Sequence, residues 1–268
     1  MNWQSPKFEK IIDNWIEEDL GYGDLTKPAI SQEIGEAIWT TKKEGTFCGE
    51  SIIRIILRKI DRQIETNFLI KDGEEFRKNK KILELKGPTH SLLSSERITL
   101  NIAMHLSGIA TYTKGLTKKL ANKKIKLADT RKTTPGLRFF EKYAFRCGGG
   151  INHRMGLYDA AMIKENHLAW CNDLKDSINR IRIASPFTTH IIVEAESINQ
   201  AKEAIIAGAD SILLDEIKPE KLKESILDLR NLANNQNRFN NKRLLIEMSG
   251  IDPNKIEDYL IDGIDFIS

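Results

Sequence analysis

The stretch HIIVEAESINQAKEAIIAGADSILLDE, residues 190–216, decides the fold. Two short apolar runs, HIIVEAE and DSILLDE, lie on either side of the helical segment SINQAKEAIIAGA. Similar runs alternate with helical segments throughout the chain after residue 125. Strand and helix in repeated alternation predict βα units and a parallel sheet.

The strands of this predicted sheet are too few for a closed barrel. Six runs follow residue 125, namely KIKLAD, DAAMIKENH, HIIVEAE, DSILLDE, LLIEMSG and GIDFIS. A complete β/α barrel has eight strands and typically about 250 residues. We therefore expect an incomplete (open) β/α barrel.

The positions of polar residues favour a barrel over an open doubly wound sheet, which has the same rhythm. Polar residues stand at or just past the end of each run, where β/α barrels hold their chemistry; they are Asp129, Lys164, Glu194, Glu196, Asp215 and Ser249. In IIVEAE, Glu194 and Glu196 share one strand face. Two carboxylates on one face would be costly in an apolar core, so this face should point into a polar site.

The first part of the chain has a different texture. Apolar residues at helical spacing predict a helix over residues 5–20, and a longer helix over 92–121. Between them, residues 35–90 alternate strand-like segments with one short amphipathic helix. This is a mixed α+β region.

Composition excludes several classes of protein. The chain has 268 residues, 40% of them apolar, and a net charge of only +3, so its whole surface is not built for nucleic acid. No apolar run is long enough to span a membrane, and the N-terminal segment is acidic and amphipathic, unlike a signal peptide. The three cysteines are far apart, which suits a reduced compartment, and we expect a cytoplasmic protein.

A basic segment, DTRKTTPGLRFFEKYAFRCGGGINHRMG (residues 129–156), indicates a site for a small anion. Arg131 and Lys132 directly follow a strand, and His153 and Arg154 form a second basic pair. Arginine binds carboxylate or phosphate with a bidentate fork. The glycine triplet 148–150 would permit unusual backbone conformations and the close approach of a ligand.

Three further groups of residues have more than one interpretation. Lys164 could form a Schiff base, bind an anion or extend to solvent. Glu194, Glu196 and Asp215 could be salt-bridge partners, or could hold Mg²⁺ that is carried on a substrate pyrophosphate. Ser249 and Gly250, just before a helix, could be a common turn or a phosphate cradle.

Taken together, the segments EDLGYGDLT, ERITLNIAMHLSGIATYT, LADTRKTTPGLRFFEKYAFRCGGGINHRMGLYDAAMIKENHL, VEAES, AGADSILLDEIKPEKL and EMSGIDP resemble the quinolinate phosphoribosyltransferase family. The resemblance runs from about residue 13 to residue 268. It implies an α/β protein whose incomplete barrel, residues 111–268, is preceded by and packed with an α+β sandwich domain, residues 1–110, with helix 92–121 as connector.

The resemblance also implies a reaction and its participants. Quinolinate and phosphoribosyl pyrophosphate, with Mg²⁺, would give nicotinate mononucleotide, pyrophosphate and CO₂ in NAD biosynthesis. The protein would be a homodimer that binds neither nucleic acid nor membrane.

Roles carry over residue by residue. Quinolinate would be held by Arg131, His153, Arg154 and Lys164, with Arg97 supplied from the partner subunit. The phosphoribosyl donor and Mg²⁺ would be served by Lys132, Glu194 and Asp215, with Glu196 nearby. Ser249 and Gly250 would hold the 5-phosphate, although Ile251 follows where the family has a second glycine, and the chain ends at Ser268, before the family's last helix.

These two departures define the alternative. A non-catalytic anion-binding paralogue, of the type associated with molybdenum transport, shares the TRKTTPG loop and would lack the 5-phosphate pocket. Retention of Lys164 favours the enzyme over this paralogue.

Overall fold

The computed structural model describes residue 3 and residues 5–31, 33–121, 123–171, 173–236 and 243–268. The chain forms two compact units. The first consists of Met1–Lys114 and Phe140–Gly149, and the second of Gly115–Phe139 and Gly150–Ser268. The boundary near residue 110 stays a prediction; the structure adds that Phe140–Gly149 clusters with the first unit.

The first unit is an α+β structure, as the sequence predicts. Its helices are α1 (Pro6–Leu20), α2 (Glu50–Ile60), most of α3 (Thr89–Lys119) and most of α4 (Arg138–Cys147). Its strands are β1 (Ile34–Thr40), β2 (Gly45–Thr46), β3 (Glu65–Phe68), β4 (Glu75–Phe76) and β5 (Lys81–Pro88). Strand β5 lies between β1 and β3 in an antiparallel sheet, and β2 pairs with β4.

Helix α2 shows how local sequence builds this unit. Its apolar residues recur at positions 52, 53, 56 and 57 and are buried in the core. The helix begins after Gly49, whose φ of 131° favours glycine. Asp72 caps it from a distant turn, because its Oδ1 accepts hydrogen bonds from the N–H groups of Gly49 (2.7 Å) and Glu50 (3.0 Å).

The second unit contains all six predicted strands. They are β6 (Lys126–Leu127), β7 (Ala161–Ile163), β8 (Ile191–Ala195), β9 (Ser211–Asp215), β10 (Leu245–Ser249) and β11 (Phe266–Ile267). Its helices are α5 (Glu165–Leu168), α6 (Leu174–Ala184), α7 (Ile198–Ala207) and α8 (Pro219–Asn234), with a 3₁₀ helix at Pro253–Tyr259. The strands are parallel, in the order β6-β11-β10-β9-β8-β7.

This order confirms an open barrel. The first strand, β6, pairs with the last, β11, and so forms one edge of the sheet. Among the described residues no ladder joins β6 to β7, the two ends of the order. At the free edge of β6, Ala128 forms an isolated parallel bridge with Ile151, which begins the segment after the glycine triplet.

Helix α7 illustrates the βα unit that the opening stretch predicts. Ser197 caps its first turn by accepting a hydrogen bond from the Gln200 N–H at 3.2 Å. Gly208 ends it in the left-handed conformation, with φ of 107°. Ala201, Ala204 and Ile205 are buried. Within the described residues, no helix combines the length and apolarity that a membrane crossing would need.

Candidate functional site

The candidate site lies at the C-terminal ends of the barrel strands. In strand β8, side chains alternate between an apolar face and a face that carries Glu194. Ile191, Val193 and Ala195 are fully buried on one face. Glu194 lies on the other face and is in register with Leu213 of β9, which is in register with Glu247 of β10. Glu194 and Glu247 therefore lie at the same level of the sheet, just before the ends of their strands.

An ion pair joins two predicted site residues. Lys164, directly after β7, places Nζ 2.5 Å from Oε2 of Glu194. The Glu194 side chain is only 7% exposed, whereas that of Lys164 is 39% exposed. Burial raises the pKa of Glu194, and Glu165 and Asp215 add to this, while Lys164 opposes them. Lys164 therefore offsets part of the cost of burying this carboxylate.

Arg154, from the second basic pair, is affected by the charge of Arg131 from the first. It is buried, and its Nη1 donates to the carbonyl oxygen of Ala160 at 2.9 Å. Burial lowers its pKa, the charge of Arg131 lowers it further, and Glu194 raises it. The charges of Arg131 and Glu194 therefore both act on Arg154.

A buried carboxylate positions the second basic pair. Oδ1 of Asp129 accepts a hydrogen bond from the backbone N–H of His153 at 2.8 Å, and Oδ2 accepts one from Asn152 Nδ2 at 2.6 Å. Asp129 lies two residues after the end of β6, following Ala128. The sequence singled Asp129 out only as a polar strand end; the structure shows that it orients the next segment of the site.

The imidazole of His153 is engaged on both sides. Nδ1 accepts a hydrogen bond from the Arg154 N–H at 2.6 Å, and Nε2 lies 3.2 Å from Oε2 of Glu247. We infer the Nε2–H tautomer for the neutral ring, because Nδ1 is the acceptor. The direct contact of His153 with quinolinate stays a prediction.

Glu247 is a site residue that sequence reasoning missed. It is buried, and its Oε1 has no hydrogen-bond partner among the described residues. The alternation that singled out Glu194 would have found it, since Glu247 and Ser249 alternate in IEMSG in the same way.

Glu247 also lines a cavity of about 250 Å³ in the barrel interior. Its wall includes His153, Arg154 and Ser211 together with apolar residues of the strands. A dianion would meet the carboxylate of Glu247 there.

Arg138 is a second missed residue. Its Nε donates to Oγ1 of Thr133 at 3.0 Å and its Nη1 to the carbonyl oxygen of Met155 at 3.1 Å. It therefore ties the loop that carries Arg131 and Lys132 to the segment that carries His153 and Arg154. No sequence signal distinguishes Arg138 from the other basic residues nearby.

The presumed phosphate residues lie beside Asp215. Ser249 is in register with Asp215, and its carbonyl oxygen accepts a hydrogen bond from the Glu216 N–H at 3.2 Å. Gly250 has φ of 73°, and a Cβ there would lie 2.6 Å from Cγ of Glu216. The structure thus brings Ser249, Gly250 and Asp215 together and gives a steric reason for the glycine.

The other predicted residues are exposed. Lys132 lies in the loop after β6, and its N–H donates to Oγ1 of Thr130 at 3.0 Å. Glu196 follows β8, and its N–H donates to Gln200 Oε1 at 2.8 Å. Arg97 is exposed on α3 in the first unit. None of these positions tests the role assigned to its residue.

The glycine triplet has a packing role that the sequence did not indicate. A Cβ on Gly148 would lie 2.5 Å from both the carbonyl oxygen of Ala110 and Cβ of Thr113. Gly149 has φ of 92°. The triplet therefore ends α4 and lets it approach α3 closely, within the first unit.

Comparisons with known proteins identify relatives of this chain. Residues 24–107 match the family model "Quinolinate phosphoribosyl transferase, N-terminal domain", and residues 109–268 match the C-terminal domain of the same family. The chain is 43% identical over 218 residues to a probable nicotinate-nucleotide pyrophosphorylase (carboxylating) of Bacillus subtilis, covering 81% of this chain and 75% of that one. It is 36% identical over 267 residues to the protein of that name in Methanothermobacter thermautotrophicus, covering 96% and 91%.

Solved structures are similar as well. The nicotinate-nucleotide pyrophosphorylase from Francisella tularensis superposes with a TM-score of 0.90 at 33% identity, covering 99% of this chain and 91% of that one. The NadC structure from Streptococcus pyogenes gives a TM-score of 0.89 at 34% identity, covering 98% and 90%.

Proposed function

The chain belongs to the quinolinate phosphoribosyl transferase family, and from that premise we propose how its own residues carry the reaction. The enzyme is a decarboxylating pentosyltransferase that forms nicotinate mononucleotide, pyrophosphate and CO₂ from quinolinate and phosphoribosyl pyrophosphate. The observation that carries the residue assignment is the ion pair of Lys164 with Glu194, together with the charges of Arg131 and Glu194 that act on the buried Arg154.

Quinolinate binding relieves charge repulsion in this site. Arg131 lowers the pKa of the buried Arg154, which means that two like charges face each other at a cost. A dianion placed between them removes that cost and gains charge-assisted hydrogen bonds. Both arginines thereby hold and orient the pyridine ring.

Lys164 changes partner when the substrate binds. In the free protein its ammonium neutralises Glu194, yet it is exposed enough to turn toward a carboxylate at the strand ends. That turn would leave Glu194 free to face the ribose. The ion pair therefore couples quinolinate binding to the release of Glu194, which then faces the ribose of the phosphoribosyl donor.

The phosphoribosyl donor occupies the neighbouring strand ends. Ser249 and Gly250 hold its 5-phosphate beside Asp215, and the exposed Lys132 reaches its pyrophosphate. As the bond between the anomeric carbon and pyrophosphate breaks, positive charge grows on the ribose and negative charge on the leaving oxygen. Glu194 and Asp215, with Glu196 nearby, stabilise the positive charge on the ribose. Lys132 stabilises the negative charge on the leaving oxygen.

The residues also fit Mg²⁺. The charge of Asp215 raises the pKa of Glu194, so the two carboxylates act on each other. Mg²⁺ is typically held by one or two carboxylates together with phosphate oxygens, which these two residues and the pyrophosphate would supply. When bound, Mg²⁺ would neutralise charge on the pyrophosphate.

Decarboxylation completes the reaction without a covalent nucleophile. Once the ring nitrogen is bonded to ribose it is quaternary and draws electrons. The bond to the adjacent carboxylate then breaks, CO₂ leaves, the electron pair stays on the ring carbon, and a proton from water replaces the carboxylate. The role of the protein in this step is to keep the ring in place through Arg131 and Arg154.

Arg97 acts across a homodimer. On α3, Leu93 and Met104 are 49% and 58% exposed, and with Arg97 they lie on one face of the helix at helical spacing. An apolar face that carries one arginine suits a contact between two copies, in which each supplies Arg97 to the other. We place the enzyme in the cytoplasm, since its cysteines at 48, 147 and 171 are free thiols.

One assay tests the activity. Purified protein with quinolinate, phosphoribosyl pyrophosphate and Mg²⁺ should release pyrophosphate and nicotinate mononucleotide in equal amounts, as measured by a coupled pyrophosphate assay and by chromatography. Quinolinate binding in a calorimeter without pyrophosphate release would instead favour the non-catalytic paralogue. The relatives described above, which are pyrophosphorylases by name, lend that alternative no support.

A further inference from the structure

Three potential metal ligands meet in the first unit, from segments far apart in the chain. They are Cys48, just before α2, Asp72, in the turn between β3 and β4, and Cys147, the last residue of α4. The two sulfur atoms and a carboxylate oxygen all lie within 4.8 Å of one another. The reaction proposed above uses none of these residues.

The carboxylate in this cluster is held in place from several directions. Its Oδ1 accepts the hydrogen bonds from Gly49 and Glu50 that cap α2, and its Oδ2 accepts a hydrogen bond from the Tyr143 hydroxyl at 2.6 Å. Such outer partners orient the ligands of metal sites and support their affinity. Asp72 is therefore held in one orientation beside the two thiols.

The cluster places two thiols beside a carboxylate, and Cys48 is fully buried. A divalent cation would bind both thiolates and the carboxylate together.

We propose that Cys48, Asp72 and Cys147 bind Zn²⁺, with water as the fourth ligand. Zn–S bonds of about 2.3 Å and Zn–O bonds of about 2.0–2.2 Å in a tetrahedron place neighbouring ligand atoms roughly 3.5–3.8 Å apart, inside the observed limit. Two sulfur ligands select zinc over Mg²⁺ or Ca²⁺. Asp72 and Cys147 are half-buried, so the cluster is partly open to solvent.

Binding of the ion exchanges protons for the metal. Two S–H bonds break, two Zn–S bonds form, and both protons go to the buffer, with no change in oxidation state. A disulfide between the same cysteines is the competing outcome.

The bound ion would connect the end of α4 to the turn at Asp72 and the start of α2. Gly73 already approaches Cys147 closely, since a Cβ on Gly73 would lie 3.2 Å from the Cys147 carbonyl oxygen. Zinc would therefore secure the segment Phe140–Gly149 within the first unit and raise its resistance to unfolding.

Metal titration of the full chain tests the proposal. Metal-free, reduced protein should bind one Zn²⁺ per chain in competition with a chromogenic chelator, and Co²⁺ should give the intense thiolate charge-transfer band in the near ultraviolet. Cys48→Ser and Cys147→Ser should lose both signals, whereas Cys171→Ser, the matched control, should keep them. Tyr143→Phe should keep the Co²⁺ band but weaken zinc binding about 10–100-fold.

The outcomes that would overturn the proposal are equally specific. They are a wild-type Co²⁺ complex without the thiolate band, or equal zinc binding by wild type and Cys48→Ser. A third is failure to bind zinc together with loss of two hydrogens in mass when glutathione disulfide is added. The wild-type Co²⁺ spectrum requires no variant, so it decides even if a substitution prevents folding. Turnover with quinolinate is a separate measurement and does not test the zinc site.

Discussion

Nζ of Lys164 lies 2.5 Å from Oε2 of Glu194, so the end of β7 is tied to β8 by an ion pair whose carboxylate is buried and whose lysine is partly exposed. Lys164→Ala removes a cation for quinolinate and leaves the carboxylate without its partner. We expect the quinolinate KM to rise roughly 100-fold and the Tm to fall, because a buried carboxylate that loses its partner destabilises the fold.

A second substitution separates these two effects. Adding Glu194→Gln to Lys164→Ala removes the unpaired charge, so it should restore the Tm, measured by calorimetry, while quinolinate binding, measured by titration calorimetry, stays weak. Recovery of binding along with stability would show that Lys164 serves only Glu194.

Arg131→Ala should abolish turnover without destabilising the fold. Arg131 faces Arg154, so its loss removes a repulsion as well as a ligand for the substrate. We expect kcat/KM to fall by roughly 10³-fold or more, and the Tm to be unchanged or slightly raised. Arg180→Ala, at an exposed arginine of α6 paired with Asp176, is the control and should keep full activity. Normal activity in Arg131→Ala would refute its role.

Mixing two inactive variants tests the shared site. If Arg97 serves the partner's barrel, a dimer of one Arg97→Ala and one Arg131→Ala subunit has one intact site. Random exchange of subunits should then recover about a quarter of wild-type activity, as expected for a twofold dimer. Each variant mixed with itself stays inactive. Absence of recovery, with exchange verified by native mass spectrometry, would place Arg97 in its own subunit's site or in none.

Gly148→Ala should destabilise the protein. The added Cβ meets the Ala110 carbonyl oxygen at 2.5 Å, and overpacking of this kind costs roughly 1–3 kcal/mol. Gly115→Ala, on α3 with nothing within 4 Å of the new Cβ, should instead be neutral or stabilising, because alanine favours helix. Urea unfolding compares the two. Equal stability would mean that α4 can shift away from α3.

His190 should make the protein sensitive to acid. Burial lowers its pKa below 6.5, with Arg182 and His153 adding to the effect and Asp210 opposing it. Below pH 6.5 the unfolded chain binds a proton that the folded chain does not, so stability falls as the pH falls.

The variant His190→Asn removes this titration. The difference in unfolding free energy between wild type and His190→Asn should therefore shrink as the pH is lowered from 8 to 5, as measured by urea unfolding. A difference that stays constant across that range would show that His190 titrates alike in both states.

The sequence by itself determined the six strands of the barrel and the residues that stand at their ends. These follow from local rules: alternation with period 2 along a strand, helical spacing between strands, and turn residues such as Gly208 at helix ends. For the same reason Lys164, Glu194, Asp215 and Ser249 could be assigned to one rim before any coordinates.

Only the tertiary structure decided which residues meet. The pairing of β6 with β11, the bond between His153 and Glu247, the contact of Gly148 with α3 and the cluster of Cys48, Asp72 and Cys147 all join positions distant in the chain. Such contacts depend on how whole elements pack, and no local periodicity carries that information.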